Sequence, residues 1–468
     1  MSALGGAAAP IVVLGAGGVL ILLLDLIWEG GHALQRVAAL VVLALAAVAA
    51  VAAPGFASGF GGAVLGDTLS RVVDLLAVVA AAAAVALPPA SGWGKRWSAY
   101  LALLLWSAAG MAVAGAAGNL IVLFLGVEVL SLALYALVAF AVDDGRAAEA
   151  GFKYFLLGGL GSALLLYGSA LVYASGGSLS FAAATAASGP LAAMGLVLIV
   201  AGLGFKLALV PFQLWTPDVY EGAGTPVTAF MSVGTKAAAF AGLARVATSA
   251  FGATGAWAGT VLVIGVLSMF AGYLLAIAQP GLKRLLAFSG VANAGTLVLA
   301  LLAPAAWRPA AFVYLVAYAT ASLGAFAVVS AVEAAAASPA ALLGGGTAAR
   351  PDGMENLRGL ARRYPWLAAA FFVSLLSLAS VPPTGGFVGK LLLLQALAGA
   401  DHPFVAVLVV AATVVALYPY FKLAVVCLQP AEDGGPELRA SAGWMVVAAV
   451  AAIATLAVGI LPGPVLHG

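Results

Sequence analysis

Four ionisable side chains stand where a protein chain rarely keeps them. Glu128 sits mid-run in Leu123-Phe124-Leu125-Gly126-Val127-Glu128-Val129-Leu130, and Lys236 mid-run in Ser232-Val233-Gly234-Thr235-Lys236-Ala237-Ala238-Ala239. Lys206 precedes Pro211 by five residues, and Lys390 follows Pro383 by seven. A charge at the centre of a bilayer costs at least ~2.5–3.5 kcal/mol on insertion scales, so it persists when paired, solvated or functional. Plainer roles exist for each. Glu128 could be the structural partner of a buried lysine, and Lys206, nearer the end of its run, could snorkel to the surface. Lys236 is too deep for that, because its stem reaches only ~6 Å against a core half-thickness of ~15 Å. The chemistry open to such groups is proton relay. A lysine in oil is supported as an ammonium by a nearby carboxylate, so changing that distance loads or releases a proton.

Other chemistry finds no residues. One cysteine, Cys427, cannot close a disulfide or hold a cluster, and His32, His402 and His467 fit no metal-ligand spacing. Ile11-Val12-Val13-Leu14-Gly15-Ala16-Gly17 resembles a dinucleotide-binding turn, but Leu20 occupies the third glycine position and the apolar run continues. Gly385-Gly386-Phe387-Val388-Gly389-Lys390 resembles a phosphate loop, but it is one residue short and Leu391 stands where Ser or Thr should bind magnesium. Metal ligands are therefore not expected.

The elements that must position these charges are membrane helices. Of 468 residues, 65% are hydrophobic and 8% charged, against roughly 25% charged in soluble domains. So few charges cannot cover a soluble surface, and a net charge of +2 offers no basic stripe for nucleic acid. With about 20 apolar residues per crossing, fourteen runs qualify. They lie near 9–28, 33–53, 68–88, 97–117, 119–141, 150–174, 191–212, 225–249, 256–278, 282–303, 309–333, 365–400, 404–428 and 441–461. The run 365–400 is too long for one straight span and contains Pro382-Pro383 and Gly385-Gly386, which predicts a broken helix. No Lys or Arg precedes Arg36, so the first run reads as a retained helix rather than a cleaved signal.

Odd-numbered loops carry Arg36, Lys95, Arg96, Arg146, Lys283, Arg284, Arg350, Arg358, Arg362, Arg363 and Arg439, whereas even-numbered loops carry little beyond Arg308. The positive-inside rule then makes the odd loops cytoplasmic and puts both termini outside. The polar stretch from Ser338 to Arg363 reads as a cytoplasmic connector. Pro211 and the Pro382, Pro383, Gly385, Gly386 group predict interrupted helices in the seventh and twelfth spans. Paired interruptions point to an inverted-repeat transporter. An offset of five spans is odd, so the second unit enters the membrane upside down. The expected organisation is all-α and polytopic. Helices 1–3 fill 1–95, a first five-helix repeat 97–250, a second inverted repeat 256–428, and a final helix 441–461. Arg71 and Asp74, three apart, predict a local ion pair. Asp25, Arg245 and Lys422 read as anchors at span ends.

The run Val210-Pro211-Phe212-Gln213-Leu214-Trp215-Thr216-Pro217-Asp218-Val219-Tyr220-Glu221-Gly222 closely resembles the subunit N family of bacterial proton-pumping NADH:quinone oxidoreductase, respiratory complex I. Gly126–Leu137, Lys153–Gly158, Leu282–Ser289 and Pro382–Phe387 add to the resemblance, which covers about residues 100 to 425. It implies an antiporter-like membrane-arm subunit in the bacterial cell membrane, beside other antiporter-like and small helical subunits. It implies that Glu128 and Lys206 form a Glu–Lys pair, Lys236 a central lysine, Lys390 a distal lysine at the outward exit, and Lys153 a further lysine of the sixth span. NADH, FMN, iron–sulfur clusters and quinone would be handled by other subunits, with no cofactor bound by this chain. The sequence departs from the family at Asn293, where a histidine is common, at Thr235 for proline and at Gln213 for histidine. Asn cannot titrate, so a relay role at 293 must pass through water or be absent. A cation/proton antiporter subunit of a related complex shares the fold and is the alternative. A structural spacer is the second rival, and a quinone-site subunit the third, though lipid-facing packing explains the aromatics more simply.

Overall fold

A computed structural model describes the chain apart from residues 1, 29, 54, 89–92, 94–95, 142–143, 182–188, 249–254, 304–306, 337–349, 431–440 and 464–468. Lys95, Arg439 and the connector from Ser338 as far as 349 lie outside the described residues. The apolar runs are helical, because only a structure that satisfies its own backbone survives in lipid. In chain order they are α1 (Ser2–Ile27), α2 (His32–Ala52), α3 (Thr68–Ala86), α4 (Trp97–Gly115), α5 (Leu120–Val138), α6 (Gly145–Gly176), α7 (Gly189–Leu207), the short α8 (Thr216–Gly222), α9 (Thr225–Thr248), α10 (Gly255–Ile277), α11 (Leu282–Val298) and α12 (Trp307–Ala336). Then come α13 (Pro365–Leu378), α14 (Gly385–Gly399), α15 (Pro403–Leu428) and α16 (Ala442–Ile460). Among the described residues, thirteen helices are long and apolar enough to cross a membrane, and α13 with α14 supplies one further, broken crossing. The protein is a multi-pass membrane protein.

A small hairpin, β1 (Ala57–Gly59) paired antiparallel with β2 (Val64–Gly66), was not legible in the sequence. Its strands are three residues long and glycine-bearing, too short for an alternating pattern to show.

By packing, the chain forms two compact units. The first holds 1–85, 93–215 and 233–261; the second holds 86–92, 216–232 and 262–468. In the first, α4 packs along α1 and α5, and α6 along α7. Small residues permit the close approach. A Cβ on Gly168 of α6 would sit 2.6 Å from the Gly195 carbonyl oxygen, and one on Gly195 of α7 would sit 2.8 Å from the Gly168 carbonyl. In the second unit α12 is the central helix, flanked by α13, α14 and α16.

The two interruptions have the same backbone design. After α7, the Ala208 N–H bonds the Phe205 carbonyl at 3.0 Å and the Leu209 N–H bonds Gly204 at 2.8 Å. After α13, the Ser380 N–H bonds Ser377 at 2.9 Å and the Val381 N–H bonds Leu376 at 2.9 Å. Each is the double reverse bond that closes a helix C-terminus. Ala208 (φ 61°) and Ser380 (φ 58°) hold the left-handed position that glycine usually takes. Each stands three residues before a proline reached through a cis peptide bond, Val210–Pro211 and Pro382–Pro383.

Two sequence expectations are corrected, and Asp25 gains partners. Arg71 donates through Nη2 to the Ala53 carbonyl (2.9 Å), and among the described residues no ion pair joins it to Asp74, whose Oδ1 is buried without a hydrogen-bond partner. Arg245 is no interface anchor. It is 8% exposed and grips Asp67 with both terminal nitrogens, Nη1 to Oδ2 at 2.9 Å and Nη2 to Oδ1 at 3.0 Å, while Nη2 also donates to the Gly115 carbonyl at 2.7 Å. Asp25 accepts from Gln35 and Ser98, each at 2.7 Å, and so ties α2 and α4 to α1.

Burial works against the Asp67 carboxylate, but the Arg245 fork outweighs it and lowers its pKa. Asp67 precedes α3 and lies outside the spans. A group with a lowered folded pKa contributes stability that is complete above its unfolded value of about 3.9 and is lost as pH falls through the folded value. Asp67→Asn should therefore cost about 3 kcal/mol at neutral pH. The gap between parent and variant should close as pH drops below ~3.9, measured as unfolding in detergent at a series of pH values.

Candidate functional site

Lys206 is in the last turn of α7, immediately before the break, and is 2% exposed. Its Nζ donates to Ser131 Oγ at 2.7 Å and to Tyr135 Oη at 3.2 Å. The Ser131 hydroxyl in turn donates to the Val127 carbonyl. Ser131 and Tyr135 lie three and seven residues after Glu128 on α5, so helical periodicity puts all three on one face. The ammonium also sits over three rings, with centroids at 5.4 Å for Tyr135, 5.5 Å for Phe205 and 5.9 Å for Tyr154. Tyr154 stacks on Trp215 at 4.6 Å, and Trp215 Nε1 donates to the Phe205 carbonyl at 3.0 Å. Trp215, from the motif run, thus caps the helix that carries Lys206.

Glu128 is close enough for its charge to act on both Lys206 and Tyr135. No ion pair joins Glu128 to Lys206 among the described residues; two hydroxyls take the lysine instead. Glu128 Oε1, Tyr154 Oη and Gln213 Oε1 are buried without a hydrogen-bond partner, which is the condition that internal water satisfies.

Lys236 lies on α9 and is 2% exposed. A helix buried along the whole of its apolar window, as α9 is, keeps such a residue from lipid. Lys153 is different. Its side chain is 41% exposed and pairs with Glu149 at 2.7 Å, one turn earlier on α6. The structure does not bring Lys153 to the Lys206 pocket. Sequence reasoning chose the lysine of the Lys153-Tyr154 pair, whereas the neighbouring tyrosine is the residue that lines the site.

In the second unit Lys390 is on α14, 4% exposed, and makes no hydrogen bond or ion pair among the described residues. The break before it carries Ser377, whose hydroxyl accepts from the Gly386 N–H at 3.1 Å, so Gly386 anchors the start of α14. Asn293 on α11 is a polar hub. It accepts from Tyr314 Oη at 2.7 Å and donates to the Ser289 carbonyl at 2.8 Å, and Ser289 Oγ lies 2.6 Å from Tyr420 Oη. A cavity of about 10 Å³ is lined by Asn293, Tyr314, Tyr318, Ser377, Ser380 and Gly386, enough for about one water. Asn293 therefore faces a small space at the helix break.

Sequence reasoning also missed a buried pair. Lys283, counted among the loop charges, is 5% exposed on the first turn of α11 and pairs with Glu333 at 2.9 Å. Glu333 ends the eleventh apolar run, so it read as a boundary. The acids of the motif run are clamped by Arg284, to Asp218 at 2.7 Å and to Glu221 at 2.9 Å.

Known proteins resemble this chain in sequence and fold. Residues 117–416 match the family described as NADH:quinone oxidoreductase/Mrp antiporter, TM. The NADH-quinone oxidoreductase subunit N 1 of Symbiobacterium thermophilum is 40% identical, over 98% of this chain and 96% of that protein. A chain of respiratory complex I from Thermus thermophilus, solved with bound aureothin, superposes with a TM-score of 0.85 at 37% identity, covering 98% of both chains. A chain of the Mrp complex from Dietzia shares the fold at a TM-score of 0.86 and 22% identity, covering 98% of this chain and 95% of that one.

Hydrogen bonds from a charged group contribute about 1.5–3 kcal/mol. Ser131→Ala should therefore lower stability by about 1.5 kcal/mol, and Tyr135→Phe, with the longer contact, by less. Thermal unfolding in detergent measures both. A Ser131→Ala variant as stable as the parent, beside a Glu128→Gln variant that is not, would show that Glu128 rather than the hydroxyls holds the lysine.

Proposed function

The chain belongs to the NADH:quinone oxidoreductase/Mrp antiporter family, and from that premise we propose that it is the N-type membrane-arm subunit of a bacterial NADH:quinone oxidoreductase and translocates protons. One observation carries the mechanism. A lysine at a helix break is buried, held by two hydroxyls and set within the field of a carboxylate that it does not touch. Such a carboxylate acts at a distance it can change. Approach or ionisation of Glu128 supports the ammonium of Lys206; withdrawal or neutralisation leaves that ammonium unsupported in oil, and it gives up a proton. Ser131 and Tyr135 each offer a hydroxyl that can both donate and accept, so they can pass that proton on. Lys236 receives it, and Lys390 is the last group before the outward side. Lys153, the most exposed of these lysines, serves to attract protons rather than to store them.

No step here forms or breaks a bond to carbon. Redox chemistry belongs to partner subunits that handle NADH, FMN, iron–sulfur clusters and quinone, and this chain binds none of them. Its partners are the other antiporter-like and small helical subunits of the membrane arm. Orientation follows from the arginine-rich odd loops, which puts both termini on the outer side. Moving Lys283 from the loops to a buried pair removes one charge from that count and leaves its sign unchanged.

The test is Lys236→Ala in the whole complex. Proton pumping coupled to quinone reduction should fall by about a hundredfold with the complex still assembled. Unchanged pumping in reconstituted vesicles would leave the chain as a structural spacer. Sodium flux that survives in place of proton flux would favour the antiporter alternative.

A further inference from the structure

A second group of buried charges lies apart from the four relay residues. It is built where the ends of α11 and α12 meet the segment after α8 and the loop 350–359. Lys283, Glu333 and Asp352 are 5%, 6% and 5% exposed. Lys283 Nζ contacts Glu333 Oε1 at 2.9 Å and the Ala223 carbonyl at 3.0 Å. The other Glu333 oxygen accepts from the Thr225 hydroxyl at the start of α9. Glu333 is thereby satisfied at both oxygens. Asp352 is not. Its backbone carbonyl takes the Leu282 N–H at 2.8 Å, but among the described residues its carboxylate has one long contact, from the Lys283 N–H at 3.4 Å.

The charges do not balance. Two buried carboxyls face one amine. Arg284 is committed to Asp218 and Glu221, and Arg350 to Glu221 at 3.4 Å; the loop also carries Glu355 and Arg358, and Arg358 has interactions of its own. Burial pushes the Asp352 carboxyl above its ordinary value; Lys283 opposes this, while Glu333 and Glu221 add to it. A clamp between helices would be complete with Lys283 and Glu333 alone. The third acid needs another partner, and Asp352 lies in a connecting loop two residues from Arg350, whose side chain is 56% exposed.

We propose that Asp352, Glu333 and Lys283 form a proton-collecting site of the second unit, in which Asp352 takes up a proton from water and passes it to Glu333. The transfer moves one proton. Asp352 is left as the anion, Glu333 becomes neutral, and Lys283 keeps its charge and changes partner from Glu333 to Asp352. Thr225, eleven residues before Lys236 on the same helix, then loses its charged acceptor. The site deepens the proton-translocating function and rests on it.

Asp352→Asn, Asp352→Glu and Lys236→Ala are compared in the intact complex in vesicles. Collection matters most when protons are scarce. Asp352→Asn should thus pump near the parent rate at acid pH and severalfold below it at alkaline pH, and Asp352→Glu should restore the alkaline limb. Infrared spectra should show a protonated-carboxyl C=O band in the parent that Asp352→Asn lacks. A loss equal at every pH, no loss at all, or an unchanged carboxyl band would each overturn the site and leave a structural clamp. Normal pumping by Lys236→Ala with the Asp352 band present would overturn the relay while sparing the proton-binding site, so the two failures are separable.

Discussion

A helix that stops inside an apolar medium must find partners for the carbonyls it abandons. No water stands outside to take them, and each unmet group costs several kcal/mol. At both breaks the chain answers with its own next two N–H groups, from Ala208 and Leu209 after α7 and from Ser380 and Val381 after α13. The remaining polar surface is met by side chains. Trp215 caps the Phe205 carbonyl, and Ser377 takes the Gly386 N–H. At the second break a small cavity lined by Asn293, Tyr314 and Ser377 remains. Each break has a buried lysine near it, Lys206 before the first and Lys390 after the second.

The two breaks share a backbone but not a side-chain order. Lys206 stands before its proline and Lys390 after its own. Seven residues beyond Pro211 the first break carries Asp218 instead, and Arg284 neutralises it. The motif Trp215–Gly222 therefore has two jobs that its sequence does not separate. Its tryptophan builds the lysine pocket, while its acids form part of an ion clamp with α11.

Much of the fold was legible because lipid imposes a simple rule on length and polarity. Run after run of about 20 apolar residues became a helix, and Pro211 and the Pro382–Gly386 group marked the two breaks. The four relay residues were legible for the same reason, since a charge inside such a run is conspicuous. What could not be read was pairing across helices. Arg71 and Asp74 are adjacent on one helix face, yet the arginine reaches back to the Ala53 carbonyl. Arg245 and Asp67 are far apart in sequence, yet they form a bidentate fork. Ser131 and Tyr135 are ordinary residues of an apolar helix until Lys206 is brought against them. Periodicity from Glu128 could have singled them out, had hydroxyls on its helix face been expected to hold the lysine.

That indirect contact follows from the energetics of a relay. A carboxylate in direct contact with a buried ammonium forms a pair that is costly to break, about 3–5 kcal/mol when one partner is removed. Arg245 and Asp67 make such a pair, and it fixes the start of α3 against α9. Glu128 and Lys206 do not touch, so their interaction is weaker and more easily changed. The Ser131 and Tyr135 hydroxyls keep the lysine in place whether or not the carboxylate is charged, because Ser and Tyr donate as well as accept. The same chain thus uses close pairs where it needs fixed geometry and a separated pair where a proton must be able to leave.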